Sequence, residues 1–396
     1  MRNIPIYTGL IILFFYLVIS FFGWIAIRNT LSKSGYIFWN RLYWIASICQ
    51  AVSFFLLFIY PFTTSTTTKY SLYFIYNSIL ITDIFSKIPL FLGGLAALIS
   101  KRKSVFRFYF SFNGLILSLG VFLIFLWGFT IGARTLHKNH IELYLNSLPV
   151  SFDGLRITQL SDFHLGNYHY FRMFERAIKA NNEFNPDLLL FTGDMVNNFA
   201  SEADGWKDNF LQFEATNKFA VQGNHDYGDY YRWPEKALKE LNYRGILQSF
   251  EDFGFKLLSN HSYKITRGAD TIYITGVENW GHPPFPQYAD LEKALAGIPD
   301  NSFKILMTHD PAHWDSIIKY KDNFPLTLSG HSHGLQWGIK LAGIEFSLIY
   351  LSRKYWAGLY EYNGNSLYVN RGLGTIGIPL RIDMPAEITF ITLRKK

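Results

Sequence analysis

Side chains that carry carboxylate or amide oxygens or imidazole nitrogens recur in five short islands between residues 162 and 333. The candidate metal ligands in these islands are Asp162, His164, Asp194, Asn224, His309, His331 and His333. A mixture of nitrogen and oxygen ligands suits Mn, Fe or Zn better than Ca or Mg, which favour oxygen alone. Seven ligands are too many for one ion, so the islands predict two divalent metal ions (Mn, Zn or Fe) with one bridging carboxylate.

Two such ions, roughly 3.5–4 Å apart, can activate a bridging water and stabilise both oxygens of an in-line displacement at phosphorus. His225 follows Asn224 and is predicted to protonate the leaving oxygen or to stabilise the pentacoordinate phosphorus. Asp226 is predicted to orient the His225 ring and to raise its basicity. A turn, a solvated loop or a helix cap explains any one island. Together and in this order, the islands predict a two-metal hydrolytic site for phosphate esters.

The elements that must position these side chains are strands, because most islands directly follow an apolar run. The strand-like runs are residues 155–160, 188–191, 219–221, 271–276, 303–307 and 326–328, and the helical stretches between them are residues 172–182, 234–241, 291–296 and 313–319. Strands that alternate with helices predict an α/β domain. Ligands at the carboxyl ends of strands also fit the place where open α/β sheets hold their sites.

The first third of the chain is dominated by four apolar stretches, residues 7–27, 44–62, 72–98 and 108–131. Each has about the ~20 residues that a helix needs to cross a bilayer. The alternative is a signal peptide followed by buried core helices, but residues 7–27 lack a small-residue cleavage site. We therefore expect a transmembrane region of four helices over residues 1–135 and a catalytic domain over residues 136–396, with the lipid bilayer as a partner.

The net charge of +7 is distributed unevenly between these two parts. Residues 1–138 hold twelve Lys or Arg and one acid, Asp83, whereas the remainder carries a net charge of −4. The catalytic domain therefore lacks the excess of basic residues that is typical of a nucleic-acid-binding surface. No obligate protein partner is evident from the sequence. Cys49 is the single cysteine, so a disulfide within one chain is excluded.

The loops between the apolar stretches predict the orientation in the membrane. Basic residues concentrate in the first and third loops, at Arg28, Lys33, Arg41, Lys101, Arg102, Lys103 and Arg107. By the positive-inside rule these loops face the cytoplasm, which places the catalytic domain outside the cytoplasm at the cell membrane. Asp83 and Lys87 lie four residues apart within the third stretch. They are read as a mutually neutralising pair or as a functional intramembrane site.

Residues 155–392 resemble the calcineurin-like metallophosphoesterase superfamily, and within it the membrane-anchored bacterial branch of YkuE- and YaeI-like phosphodiesterases. The motifs are Asp162-Phe-His164, Gly193-Asp194, Gly223-Asn224-His225-Asp226, Thr308-His309-Asp310 and Gly330-His331-Ser-His333-Gly334, with Trp356-Ala-Gly-Leu-Tyr360, Asn370-Arg-Gly-Leu-Gly374 and Pro385-Ala-Glu387-Ile for the branch. Asn197 departs from the pattern, since the second motif usually ends in Asp. The superfamily pattern leaves the amino-terminal region uncovered.

The resemblance implies a four-layer αββα sandwich and a division of the ligands between two metals. Asp194 is implied to bridge them. The other ligands are implied to be Asp162, His164 and His333 on one metal, and Asn224, His309 and His331 on the other.

The stretch of residues 335–356 follows the last ligands and combines aromatic and aliphatic side chains with basic residues. It is read either as a surface for a lipid tail and a phosphate head group or as a hairpin packed on the domain core. Trp337, Trp356 and Arg371 are candidate substrate-binding residues, although Arg371 could instead brace its glycine-rich loop.

The expected activity is hydrolysis of a phosphodiester or pyrophosphate in a phosphorylated lipid or lipid-linked substrate, such as a phospholipid or a lipid A precursor. One alternative is a receptor or transporter that binds a phosphorylated ligand without turnover. The other is a protein phosphatase.

Overall fold

The computed structural model describes residues 6–31, 33–56, 67–100, 104–167, 171–281, 286–321, 324–341 and 344–396. The chain divides into two compact units, Met1–Thr130 and Ile131–Lys396. Each unit is described by itself below.

The first unit contains the helices α1 (Ile6–Thr30), α2 (Lys33–Phe54), α3 (Thr67–Ile99) and α4 (Ser104–Thr130). Among the described residues, three helical segments are long and apolar enough to cross a membrane: Tyr7–Thr30, Phe74–Ile99 and Val105–Arg134. Of the four predicted spans, the first, third and fourth coincide with these segments, and the described part of the second does not qualify. Helix α2 carries Asn40, Arg41 and Gln50, and the predicted second span, residues 44–62, continues past residue 56 into a part of the chain outside the described residues.

A buried polar cluster joins α1, α2 and α3. The Lys87 ammonium lies 2.8 Å from an Asp83 carboxylate oxygen, 2.7 Å from the Tyr16 hydroxyl and 2.9 Å from the Ser47 hydroxyl. The Tyr16 hydroxyl in turn donates to Asp83 at 2.7 Å. The pair therefore neutralises itself within the helix packing, since a lone charge at this depth would be costly.

The second unit is built on two six-stranded sheets. Its strands are β1 (Leu136–Leu145), β2 (Arg156–Leu160), β3 (Leu188–Phe191), β4 (Asn217–Ala220), β5 (Lys256–Leu257), β6 (His261–Arg267), β7 (Asp270–Gly276), β8 (Phe303–Met307), β9 (Leu326–Ser329), β10 (Ile339–Leu341), β11 (Ile344–Phe346), β12 (Gly358–Tyr362), β13 (Asn365–Val369) and β14 (Ala386–Lys395). Its helices are α5 (Phe171–Phe184), α6 (Lys207–Leu211), α7 (Lys236–Asp252), α8 (Leu291–Ala294) and α9 (Ala312–Ser316).

Sheet 1 has the strand order β1-β14-β2-β3-β4-β5, and sheet 2 has the order β12-β13-β9-β8-β7-β6. Strands β2 to β5 run parallel, as do β7, β8, β9 and β13. Strand β14 lies antiparallel to β2, and the edge strands β6 and β12 are antiparallel to their neighbours. Strands β10 and β11 form a separate hairpin. Parallel neighbours have their carboxyl ends at one edge of each sheet.

Alternation along the strands fills both faces of each sheet with apolar side chains. On β3, Leu188 and Leu190 pack between the two sheets, against residues such as Ile305 of β8. Leu189 and Phe191 point to the outer face of sheet 1, where they pack with residues of α5, α6 and α7. The outer face of sheet 2 packs in the same way with α8 and α9. These layers form the αββα sandwich that the resemblance implies, and the α/β fold is confirmed.

Candidate metal centre

The seven predicted ligands follow the carboxyl ends of five parallel strands. Those strands are β2, β3 and β4 of sheet 1 and β8 and β9 of sheet 2. The two sheets are linked at this edge, because the buried amide of Gln159 on β2 donates to the carbonyl of Ser329 on β9 at 2.9 Å. Loops from both sheets therefore meet at a common point.

Five of the ligand residues have a left-handed backbone, an uncommon conformation for residues other than glycine. The φ angles are 52° at Asp162, 48° at His164, 60° at Asp194, 75° at His331 and 51° at His333. Each such residue costs on the order of 1–3 kcal/mol and persists where the surroundings fix it. The sharp turns after the strands direct the side chains of these residues toward a shared centre.

The first group of ligands consists of Asp162, His164 and His333, all buried. The Nε2 atoms of the two histidines lie 3.0 Å apart, and His333 Nε2 lies 3.3 Å from an Asp162 oxygen. Burial raises the pKa of Asp162, but the nearby His333 more than offsets it and brings that pKa to about 2. Asp162 is therefore an anion, as a metal ligand must be.

The second group consists of Asp194, His309 and His331, with Asn224 beside them. The Asn224 carbonyl oxygen lies 2.8 Å from His331 Nδ1 and 3.1 Å from His309 Nε2. His309 Nδ1 donates to the carbonyl of Thr192 at 2.7 Å, which leaves Nε2 as its ligand atom.

Asp194 connects the two groups through one oxygen. Its Oδ2 lies 3.2 Å from His309 Nε2 and 3.6 Å from His164 Nε2. Burial raises the pKa of Asp194, whereas the surrounding histidines lower it well below its ordinary value. Donor atoms of the right types converge in two buried groups around a shared carboxylate, so these residues fit a pair of divalent ions.

His225 lies against both groups but uses its ring differently. Its Nδ1 is 2.7 Å from the Asn197 carbonyl oxygen, and its ring stacks on Tyr230 at 4.2 Å. Burial lowers the pKa of His225, whereas the charge of Asp194 and the contact with the Asn197 carbonyl oppose that shift. With the Nδ1 proton donated to Asn197, Nε2 is the ring nitrogen that remains for a substrate oxygen.

The predicted partnership between Asp226 and the His225 ring is wrong, because the ring is held by the Asn197 carbonyl. Asp226 instead accepts backbone N–H groups from Gly223 at 2.8 Å, from Asp194 and Met195 at 2.9 Å each, and from Val196 at 3.3 Å. It therefore ties the loop after β3 to the loop after β4.

A second layer of polar residues supports His331. The buried Asp310 carboxylate lies 3.9 Å from His331 Nε2 and 3.6 Å from the Arg353 guanidinium. At 3.9 Å the carboxylate acts on the ring by its charge and not through a hydrogen bond.

The structure places the three candidate substrate-binding residues away from an open surface. Arg371 is buried, with Nε 2.6 Å from Glu387 and Nη1 3.3 Å from Glu345, so it braces the glycine-rich loop. Trp356 is 8% exposed and packs with Ile349 and Met384. Trp337 is half-buried, and its backbone pairs with Ile382 and Asp383.

Residues 335–356 combine the two alternatives considered from the sequence. They form the β10–β11 hairpin and a short 3-10 turn, Leu348–Leu351. Large apolar side chains nevertheless remain exposed on this stretch: Leu335, Ile339, Phe346, Tyr350 and Leu351.

Two contacts at the site could not be predicted from the motifs. Asn224 Nδ2 donates to the Tyr230 hydroxyl at 2.6 Å, and Tyr230 lies in a loop without a motif. The Asn197 side-chain amide donates to the buried Glu202 at 2.9 Å, while the Asn197 main-chain carbonyl accepts from His225 Nδ1 at 2.7 Å. An amide donor at position 197 therefore has a structural role, and the departure from the usual Asp does not disturb the ligands.

Comparison with known proteins agrees with this geometry. Residues 155–335 match the family described as calcineurin-like phosphoesterase. The metallophosphoesterase YkuE of Bacillus subtilis is 32% identical over 284 residues, covering 66% of this chain and 88% of YkuE. The chain belongs to the calcineurin-like phosphoesterase family. It is accordingly a metal-dependent hydrolase of phosphoric esters.

This calcineurin-like phosphoesterase covers different shares of two further relatives. A transmembrane protein with a metallophosphoesterase domain from Danio rerio is 29% identical over 266 residues, which cover 64% of this chain and 56% of that protein. This chain therefore spans little more than half of the Danio rerio protein. A metallophosphoesterase of Helicobacter pylori strain 26695 is 28% identical over 308 residues, covering 75% of this chain and 73% of the relative.

Proposed function

We propose that the protein is a membrane-anchored phosphoesterase that hydrolyses a phosphodiester or pyrophosphate bond in a lipid or lipid-linked substrate. The observation that carries this proposal is the exposed apolar surface on the stretch that follows the last metal ligands in the chain. Tyr350 is 64% exposed and Leu351 is 78% exposed, on a stretch that begins two residues after His333. A cluster of large exposed apolar side chains is typical of a surface that binds an apolar partner.

The residues of the centre account for the hydrolytic chemistry. Two divalent ions, when bound, would supply an activated water and charge stabilisation at phosphorus. Asp194 joins the two ligand groups, while the main-chain N–H of His225 donates to Asp194 Oδ1 at 2.9 Å and fixes that carboxylate. His225 Nε2 is available to the leaving oxygen, and a His225 ring that is also protonated at Nε2 can donate that proton to it.

The anchoring rests on the three long apolar helices and on the position of the catalytic unit directly after them. We extend the proposal to sidedness: the basic first and third loops favour a catalytic unit outside the cytoplasm. Alkaline phosphatase fused after Lys396 should be active in intact cells, and a fluorescent protein fused there should stay dark. The opposite pair of results would place the domain in the cytoplasm.

The substrate class is tested with the full-length protein in lipid nanodiscs supplied with Mn²⁺. The substrates would be a long-chain phosphodiester lipid, a lipid-linked pyrophosphate, their short-chain analogues and a phosphoserine peptide. We expect kcat/KM for a long-chain substrate to exceed that for its short-chain analogue by at least about tenfold, since each buried methylene contributes about 0.8 kcal/mol. Preference for the phosphopeptide, or equal rates on long and short chains, would contradict the proposal. Binding without turnover would favour a receptor.

A further inference from the structure

Arg371, the arginine considered from the sequence as a phosphate ligand, is engaged with two glutamates. Arg353 is placed differently. Its guanidinium lies 3.6 Å from Asp310, the carboxylate that stands behind His331. The Asp310 side chain therefore lies between Arg353 and the metal ligand His331.

The Arg353 side chain is 34% exposed, whereas Asp310 is 2% exposed. A separation of 3.6 Å is longer than a hydrogen bond, so this ion pair does not occupy the five N–H donors of the guanidinium. A planar fork of donors at the rim of a metal site matches the geometry of phosphate oxygens.

The turn that carries Arg353 is anchored on one side and exposed on the other. The Arg353 N–H donates to the Ile349 carbonyl at 2.8 Å, and Ile349 packs with Trp356 and Met384. Tyr350 and Leu351 point away from that small core and are exposed. One short turn thus presents a guanidinium toward the metal ligands and two apolar side chains beside it.

We propose that Arg353 binds a non-bridging oxygen of the substrate phosphate, and that Tyr350 and Leu351 contact an apolar group attached to that phosphate. The inference rests on the proposed function and narrows it. The substrate would carry its apolar group next to the scissile phosphate. Arg353 would act as a specificity residue, while the chemistry stays with the metal centre and His225.

The first test measures binding of inorganic phosphate to the full-length, Mn²⁺-loaded protein by calorimetry. Charge-assisted hydrogen bonds contribute about 1.5–3 kcal/mol, so Arg353→Gln should weaken phosphate binding by about 10- to 100-fold, with Arg353→Lys in between. Lys354→Gln is the matched control, because Lys354 is the next cation on the same loop, and it should bind phosphate like the wild type. Metal content is measured for each variant.

The second test compares hydrolysis of bis-p-nitrophenyl phosphate and methyl p-nitrophenyl phosphate. Arg353→Gln should raise KM for both diesters and leave kcat nearly unchanged. The double variant Tyr350→Ser/Leu351→Ser should lose the preference for the more apolar diester and keep wild-type phosphate binding.

Unchanged phosphate affinity in Arg353→Gln would overturn the inference. So would a loss of bound metal that accounts for the whole effect, because Arg353 would then serve only to hold Asp310. The proposed function fails separately: a wild-type protein that binds phosphate through Arg353 but hydrolyses no diester would refute the activity and support the role of Arg353.

Discussion

At the scale of single residues, the centre depends on carboxylates whose orientation is fixed by main-chain N–H groups. Asp194 receives the His225 N–H at one oxygen and faces both ligand groups with the other. Asp226 receives four N–H groups from the loops that carry Asp194 and Asn224. A ligand held in this way loses little conformational freedom when it binds a metal.

The Asp226 result shows what adjacent residues in a motif cannot reveal. His225 and Asp226 are neighbours in the sequence, and a carboxylate beside a histidine suggests a pair. In the 3-10 turn Asn224–Tyr227, however, consecutive side chains point in different directions. Asp226 accepts main-chain N–H groups of two loops. The residue types in a motif do not show which main-chain groups a side chain will bind.

His313 leads to a prediction for the pH dependence of stability. It is buried, stacks on Trp280 at 4.5 Å and lies 3.1 Å from the Thr308 hydroxyl through Nδ1. Burial lowers its pKa from the ordinary 6.5 to about 4. The folded state therefore favours the neutral ring, so this contribution to stability is complete above pH 6.5 and is lost as the pH falls toward 4.

We expect His313→Phe to remove up to about 3 kcal/mol of the decrease in unfolding free energy between pH 7 and pH 4, since one pKa unit corresponds to 1.36 kcal/mol. The measurement is denaturant unfolding of the full-length protein at several pH values. His261→Phe, at an exposed histidine, serves as the control and should keep the wild-type slope. An identical slope in His313→Phe would show that the His313 ring is not buried in its neutral form.

At the scale of elements, apolar runs predicted strands well where the strand is buried on both faces. The predicted runs at residues 188–191 and 303–307 coincide with β3 and β8, whose residues are all buried. Strand β14 was not predicted, and it pairs with β1 about 250 positions away in the chain. Pairing over that separation depends on the completed fold, which local patterns do not contain. The motifs located the ligands because each one ends a buried strand.

The variant Gly223→Ala tests how closely the loops after β3 and β4 approach each other. A Cβ at this position would lie 2.1 Å from Asp194 Oδ1 and 2.6 Å from Asp194 N. Gly223→Ala should lower stability by about 1–3 kcal/mol, as overpacking does, and reduce the bound metal. Thermal unfolding and metal content are the measurements.

Gly120→Ala is the matched control for Gly223→Ala, because an added Cβ at Gly120 meets no described atom within 4 Å. Full metal binding by Gly223→Ala would mean that the two loops can separate without cost.

The variant Lys87→Met tests how much the Lys87–Asp83 ion pair stabilises the packing of the amino-terminal helices. Lys87→Met leaves the Asp83 carboxylate without its cation, and breaking a buried pair typically costs about 3–5 kcal/mol. The double variant Lys87→Met/Asp83→Asn should recover part of this loss. Thermal unfolding in detergent is the measurement, with Arg107→Gln, at an exposed cation, as the control. A wild-type melting temperature for Lys87→Met would show that the cluster adds nothing to the packing.

At the scale of the whole molecule, an apolar, strongly basic amino-terminal unit precedes a catalytic unit with a net negative charge. The sequence distinguished these two parts by composition alone, since apolar length and charge do not depend on tertiary contacts. It predicted four spans, and three helical segments of the described residues qualify; polar residues lower the hydropathy of α2, and the predicted second span ends outside the described residues. From the sequence, Arg371 is a candidate either for binding a phosphate or for bracing its glycine-rich loop, and the glutamate partners that favour the bracing role become visible only in the fold.

The central claim is that Asp194 joins two metals and that His225 acts beside them in phosphodiester hydrolysis. The most direct measurement follows bound metal and bis-p-nitrophenyl phosphate turnover in the full-length protein, comparing the wild type with Asp194→Ala and His225→Ala. We expect Asp194→Ala to lose metal and activity together. His225→Ala should keep two metal ions per chain while kcat falls by roughly 10²- to 10⁴-fold. Wild-type turnover in both variants would contradict the account.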